Sequence, residues 1–323
     1  MLVRNTPTPT TGGHTLPFFA ALAVGMGASA QTPAWYPSKW GASDEIGAAN
    51  YMTPALALAA ARLVKTGKVY SLGITVSTTT PAYPPRTCSI YIVQPGQTGS
   101  ANGLGPTNTT YNDDILNCWT GIGTQLDGLG HIGVGDRYYN GNKWGEFADI
   151  SGLKKLGVEK LPPMVARGVL LDMAGFLGVD VVKEGTPFNR AEIDGAARKQ
   201  GVEIRQGDVV IFHTGWLSLI DKDPKRFGSA EPGLGREGAR YLVSKGVVAV
   251  GADTWAVEAI PFEQGAGVFE VHQILLPMSG TFILENINTA ELVKDKAWEF
   301  MFVLGQNKYQ GAVQSMINPV AIR

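Results

Sequence analysis

The chain has 323 residues, 44% hydrophobic and 17% charged, which is an ordinary globular balance and enough length for a sizeable core. With 27 lysines and arginines against 28 aspartates and glutamates the net charge is −1, and no basic stripe or tail exists. That balance argues against nucleic acid as a partner.

Residues 1–30 have the order of a secretory signal. Arg4 gives a positive start, residues 16–26 form a short apolar run, and Ala28-Ser29-Ala30 is a small-residue cleavage pattern before Gln31. The apolar run is too short to span a membrane. Residues 31–323 are therefore expected to form one exported domain, periplasmic or secreted. Thr53 and Pro54 suit the N-cap and first turn of an Ala-rich helix running to Val64, with Gly67 ending it. A strand is predicted over residues 69–76. Residues 77–112, rich in Thr, Pro, Gly and Asn, read as a long loop or surface excursion, and loops of that length usually carry function or cover a site.

From about residue 165 apolar runs alternate with helical segments. The runs at 169–172, 209–213 and 247–252 end at Asp172, at His213 and just before Asp253, with helices over 190–200 and 238–245 between them. This alternation predicts an α/β fold with a largely buried sheet. Late runs at 281–284, 300–304 and 312–317 lack full helices between them and suggest antiparallel additions, making a mixed central β-sheet flanked by helices. Asp172, His213 and Asp253 fall at the carboxyl ends of strands, the edge where α/β sheets tend to bind ligands.

Beyond the signal only three histidines remain: His131, His213 and His272. Gln125 and Asp127 are two residues apart, so an extended segment places both on one face. His131 follows across a bend containing Gly128 and Gly130, which can turn the imidazole back toward the carboxylate. Carboxylate and imidazole are normal ligands of zinc or manganese, and a Gln oxygen is a weaker one. On composition alone the cluster reads equally as a glycine-rich turn with a surface Asp and a capping His. Cys88 and Cys118 lack the clustered spacing of a zinc site, and the sequence leaves their pairing open. Two G-x-G-x-x-G matches, at 128–133 and 233–238, follow no strand, and no G-x-S-x-G elbow exists.

Residues 121–131 resemble the signature H-x-G-T-H-x-D-x-P-x-H of the cyclase family that includes kynurenine formamidases and isatin hydrolases. Gly123, Thr124, Asp127 and His131 match; Gly121 and Gln125 stand where that pattern has metal-binding histidines, and Leu129 replaces the proline. The G-T-Q-x-D-G-x-x-H form resembles a branch that includes trans-dienelactone hydrolase, a zinc enzyme. Trp40-Gly41, residues 44–50 and 63–67, Thr214-Gly215-Trp216, residues 251–254 and residues 272–286 extend the likeness over most of the chain.

The resemblance implies a cyclase-family fold of swivelling β/β/α type. It implies a hydrolase that opens a lactone, cyclic amide or aryl formamide with a metal-activated water. His272 would be the general base, and Glu285 would hold the metal or orient His272. One divalent cation, zinc ahead of manganese, would sit on Asp127, His131 and Glu285 with Gln125 as an optional ligand, because the lost histidines remove most of a second site. Trp255 and Trp119 are candidate walls against a flat ring, with core packing the other reading, and His213 is a candidate supporting residue. Kinship also implies a homo-oligomer. The alternatives are a non-catalytic binder of a small aromatic acid on the same fold, or a metal-dependent dehydratase or isomerase.

Overall fold

The computed structural model describes residues 35–93 and 103–323, so the expected signal segment lies outside the described residues. Nine strands form the central sheet among them: β1 (Val69–Ser71), β2 (Gln125–Asp127), β3 (Met164–Asp172), β4 (Val209–His213), β5 (Ala249–Ala252), β6 (Phe282–Glu285), β7 (Glu299–Leu304), β8 (Gln314–Met316) and β9 (Val320–Ile322). Their spatial order is β1-β9-β7-β3-β4-β5-β6-β2-β8. The central four, β3 to β6, are parallel, and the strands outside them pair antiparallel.

The parallel strands are the continuous apolar runs of the sequence. Val209 to Phe212 and Phe282 to Leu284 are wholly buried, as both faces of a parallel sheet covered by helices require. Helix α1 (Pro54–Ala61) packs on β3 and β7, and its start is fixed by Thr53, whose side chain accepts from the Leu56 amide at 3.3 Å. It ends three residues before the expected Val64, where single turns take over. Helices α2 (Arg190–Gln200) and α3 (Arg236–Lys245) occupy the predicted places. Asp172 caps the following turn through the Gly175 amide, and Asp253 accepts from the Thr214 and Gly215 amides. These two strand-end carboxylates hold the backbone.

Two expectations are corrected. The run at 281–284 is not an antiparallel addition. Helix α4 (Glu270–Leu275), only six residues long, carries the chain back so that β6 lies parallel to β5. The excursion at 77–112 contains a strand, Cys88–Val93, which pairs with Asp113–Cys118 as a hairpin arm. Cys88 and Cys118 face each other in that register, 4.0 Å apart at Cα, and are disulfide-bonded. No helix among the described residues is long and apolar enough to cross a membrane.

Candidate active site

The site grows from the pleat of three neighbouring strands. In β2, Gln125 and Asp127 point to one face and Leu126 to the other. β6 pairs so that Glu285 lies opposite Gln125, and β8 pairs so that Gln314 lies opposite Asp127. Two carboxylates and two amides thus share one buried patch. Gln125 Nε2 donates to Asp127 Oδ1 (3.1 Å) and to Glu285 Oε2 (2.5 Å), and Gln314 Nε2 donates to Asp127 Oδ1 at 2.7 Å. Asp127 Oδ2 is left buried with no hydrogen-bond partner.

Helix α4 delivers the imidazole that faces this patch. Phe269, at a left-handed φ of 51°, starts the helix and packs edge-on against His272. His272 Nε2 lies 3.3 Å from Glu285 Oε1 and 3.8 Å from Asp127 Oδ2. Its other nitrogen, Nδ1, is bound to Glu258 Oε1 at 2.5 Å, and the same carboxylate accepts the amides of Val271 and His272. That grip fixes both the ring plane and the tautomer. His131 arrives from the bend after β2, with Nε2 3.9 Å from Asp127 Oδ2. The bend needs its glycine: a Cβ on Gly128 would lie 2.6 Å from the Val313 carbonyl oxygen.

The electrostatics favour a cation. Burial works against a charged His272, yet Glu258 and Glu285 outweigh it and carry its pKa up to about 10. Burial and then the neighbouring Asp127 push Glu285 up to about 8. Burial lowers His131, partly offset by Asp127, so it stays neutral. Glu231, wholly buried, is raised well above the usual carboxylate range by burial and by Glu285. Buried carboxylates therefore outnumber the cationic groups beside them. One ligand atom each from Asp127, His272 and Glu285 can be chosen within 4.8 Å of one another. An unpartnered carboxylate oxygen in such a set costs stability unless a positive charge meets it. The donors are those of a zinc or manganese site, so the residues present fit a divalent cation.

Above this floor lies a cavity of about 220 Å³, lined by Tyr83, Arg86, Ile132, Trp255, Phe269 and the polar cluster. Tyr83 stacks on Trp255 at 5.7 Å between ring centroids, and Glu231 holds the Trp255 and Ala256 amides.

A family model described as "Putative cyclase" matches residues 70–259, more than half of the chain. The chain belongs to the cyclase family. A crystal structure described as a novel cyclase superposes with a TM-score of 0.80 at 32% identity, covering 88% of this chain and 98% of that one. Isatin hydrolase A from Ralstonia solanacearum gives 0.60 at 17% identity, over 84% and 97% of the two chains. Isatin hydrolase A from Labrenzia aggregata, bound to benzyl benzoate, gives 0.57 at 18% over 79% and 93%. The two isatin hydrolases share the cyclase fold. No curated protein matches.

Of the residues singled out in the sequence, Gln125, Asp127, His131, His272 and Glu285 converge, and Trp255 lines the cavity above them. His213 does not join them. It lines a separate cleft, bonded through Nδ1 to Thr289 Oγ1 at 2.7 Å with Asp253 3.4 Å away. Trp119 is 51% exposed beside the hairpin arm, neither core nor cavity wall. Sequence reasoning missed Glu258, Glu231, Gln314, Tyr83, Arg86 and Phe269. Only Tyr83 and Arg86 carried a signal, because they fall in the excursion expected to cover a site.

Proposed function

We propose that this cyclase-family protein is a metal-dependent hydrolase that opens a small cyclic ester or amide, or an aryl formamide. The observation that carries the reading is the orphaned Asp127 Oδ2, facing Glu285 and His272 under an aromatic pocket. The isatin hydrolases that share the fold act, by their name, on a cyclic amide, which supports the same bond class here.

Asp127, Glu285 and His272 would hold one divalent cation, zinc ahead of manganese. When bound, it supplies Lewis-acid activation of a water molecule and of the scissile carbonyl. The roles of the two histidines are exchanged relative to the sequence expectation. His272 has Nδ1 committed to Glu258 and Nε2 turned to the two carboxylates, the carboxylate–histidine arrangement of a metal ligand. His131 is neutral, lines the pocket and, among the described residues, has no carboxylate gripping it within hydrogen-bond distance. At Nε2 it can take the proton of the attacking water and return it to the leaving group. Gln125 is engaged as a donor to both carboxylates, so it orients them. Tyr83, Trp255 and Phe269 bracket a planar ring and shed water from it.

Two further readings belong with this proposal. Export fits the Cys88–Cys118 disulfide, since such bonds persist in oxidising compartments. Self-association fits the exposed Ile90, Ile92, Ile115 and Leu116 on the arm. The test of the function is a hydrolysis screen over lactones, isatin-like cyclic amides and aryl formamides, with zinc or manganese added after chelation. Metal-dependent turnover of one class is expected; a protein that takes up no metal, or opens none of these bonds, refutes the reading.

A further inference from the structure

The cavity holds a charge that the proposed hydrolysis does not use. Arg86 lines it from the base of the arm, half-buried, and among the described residues it forms no ion pair. One arm is anchored: Nη1 donates to the Gly121 carbonyl at 2.8 Å. The fit is close, because a Cβ on Gly121 would lie 2.7 Å from Nη1 and 2.9 Å from Cζ. Glycine at 121 is thus what lets the guanidinium lie flat against the backbone. Among the described residues the remaining nitrogens have no hydrogen-bond acceptor. A guanidinium keeps five donors whatever its surroundings, and its planar fork matches a carboxylate at two points.

The neighbours define what would fill the gap. Beside Arg86 stand the stacked rings of Tyr83 and Trp255 and the edge of Phe269. At the floor stand Asp127, Glu285 and His272. A ligand spanning the cavity would present a scissile carbonyl to the floor, a flat face to the rings, and an anion to Arg86. We infer that Arg86 recognises a carboxylate carried by the substrate outside the bond that is broken, so that the ring opened here is itself an acid. This rests on the hydrolase reading for the word substrate, while the recognition of a carboxylate stands on the pocket alone.

Calorimetric titration with benzoate and with benzamide separates charge from shape, in chelator-treated protein and again with saturating zinc. Arg86→Gln is expected to weaken benzoate by roughly 10- to 100-fold in both states while benzamide is unchanged. Arg86→Lys should retain part of the preference, keeping the charge and losing the fork. A wild-type protein that binds benzoate no better than benzamide overturns the inference. So does a variant that loses both probes together, which would make Arg86 a prop for the arm. Binding needs no turnover, so a protein that hydrolyses nothing yet shows this preference sinks the hydrolase reading and spares Arg86. Once a ring is found to turn over, Arg86→Gln should raise KM about 10-fold or more for carboxylate-bearing rings with little change in kcat. An unchanged KM with relieved product inhibition would assign the carboxylate to the opened product and overturn the substrate claim.

Discussion

Asp127→Asn tests the proposed cation site with an outcome that differs between two buffers. The substitution is nearly isosteric, and its amide oxygen can keep the two bonds that Oδ1 accepts from Gln125 and Gln314. What changes is the orphaned Oδ2, replaced by an amide nitrogen that cannot serve as an anionic ligand. In chelator the variant should stay close to wild type, because the interactions of the removed charge oppose one another. With their ligand atoms up to 4.8 Å apart, the charges of Asp127 and Glu285 repel by about 3 kcal/mol at an effective dielectric of about 20, and at pH 7, where Glu285, held up at about 8, is mostly protonated, the relief is closer to about 1 kcal/mol. Against that relief stands the attraction lost to His272, carried up to about 10 and so charged at pH 7, with Nε2 3.8 Å from Asp127 Oδ2. With excess zinc the gap opens: a ligand at a thousand times its Kd stabilises wild type by about 4 kcal/mol, and the variant forgoes most of that. Thermal unfolding in the two buffers reads the difference, at roughly 2 °C per kcal/mol for a chain of this size. Metal analysis supplies the independent check. A variant that zinc stabilises as much as it does wild type, or that binds zinc as tightly, would refute the arrangement.

Three other outcomes follow from the same geometry. His131→Ala should keep its metal and lose about 10²- to 10⁴-fold in kcat, whereas His272→Ala should lose metal; the opposite pattern restores the assignment read from sequence. Glu258→Gln keeps one oxygen for the His272 amide and Nδ1, gives up the long 3.4 Å bond from the Val271 amide, and removes the negative charge facing His272 Nδ1, so metal affinity measured by chelator competition should drop about 10- to 100-fold, and an unchanged affinity would show that Glu258 serves the helix alone. In metal-free protein, stability should fall as pH rises. Glu285's folded pKa of about 8 exceeds its ordinary 4.5, so its contribution is complete below 4.5 and lost through about 8. That of His272 is complete below 6.5 and lost through about 10. The two protons share one cluster, so the losses do not simply add. Saturating zinc should remove the Glu285 part, and a metal-free protein whose stability is flat from pH 5 to 9 would contradict the burial assigned to this cluster.

The parts of this molecule governed by local rules were legible in the sequence. The Thr53 cap, the buried runs of β3 to β5 and the shared face of Gln125 and Asp127 all follow from spacing within a few residues. What depends on register between distant segments was not. Gln125 meets Glu285 across 160 residues, and Asp127 meets Gln314 across 187, pairings that no local pattern specifies. The same limit hid Glu258 and the division of labour proposed here for His131 and His272, since only the folded chain reveals which imidazole a carboxylate holds from behind. The direction of β6 was misread because the helix before it is just six residues long. The strand Cys88–Val93 lay inside a Thr- and Pro-rich stretch whose composition outweighed a short β-branched and aromatic run.

The placement of β2 between β6 and β8 has a consequence for how the protein matures. Its partners on both sides come from the last fifth of the chain, so Asp127 waits, after it is synthesised, for about 190 further residues before its surroundings are complete. Capture of an ion at the proposed site would thereby wait on pairing between distant segments. A chain stopped before Glu285 would lack one of the three proposed ligands however much metal surrounds it.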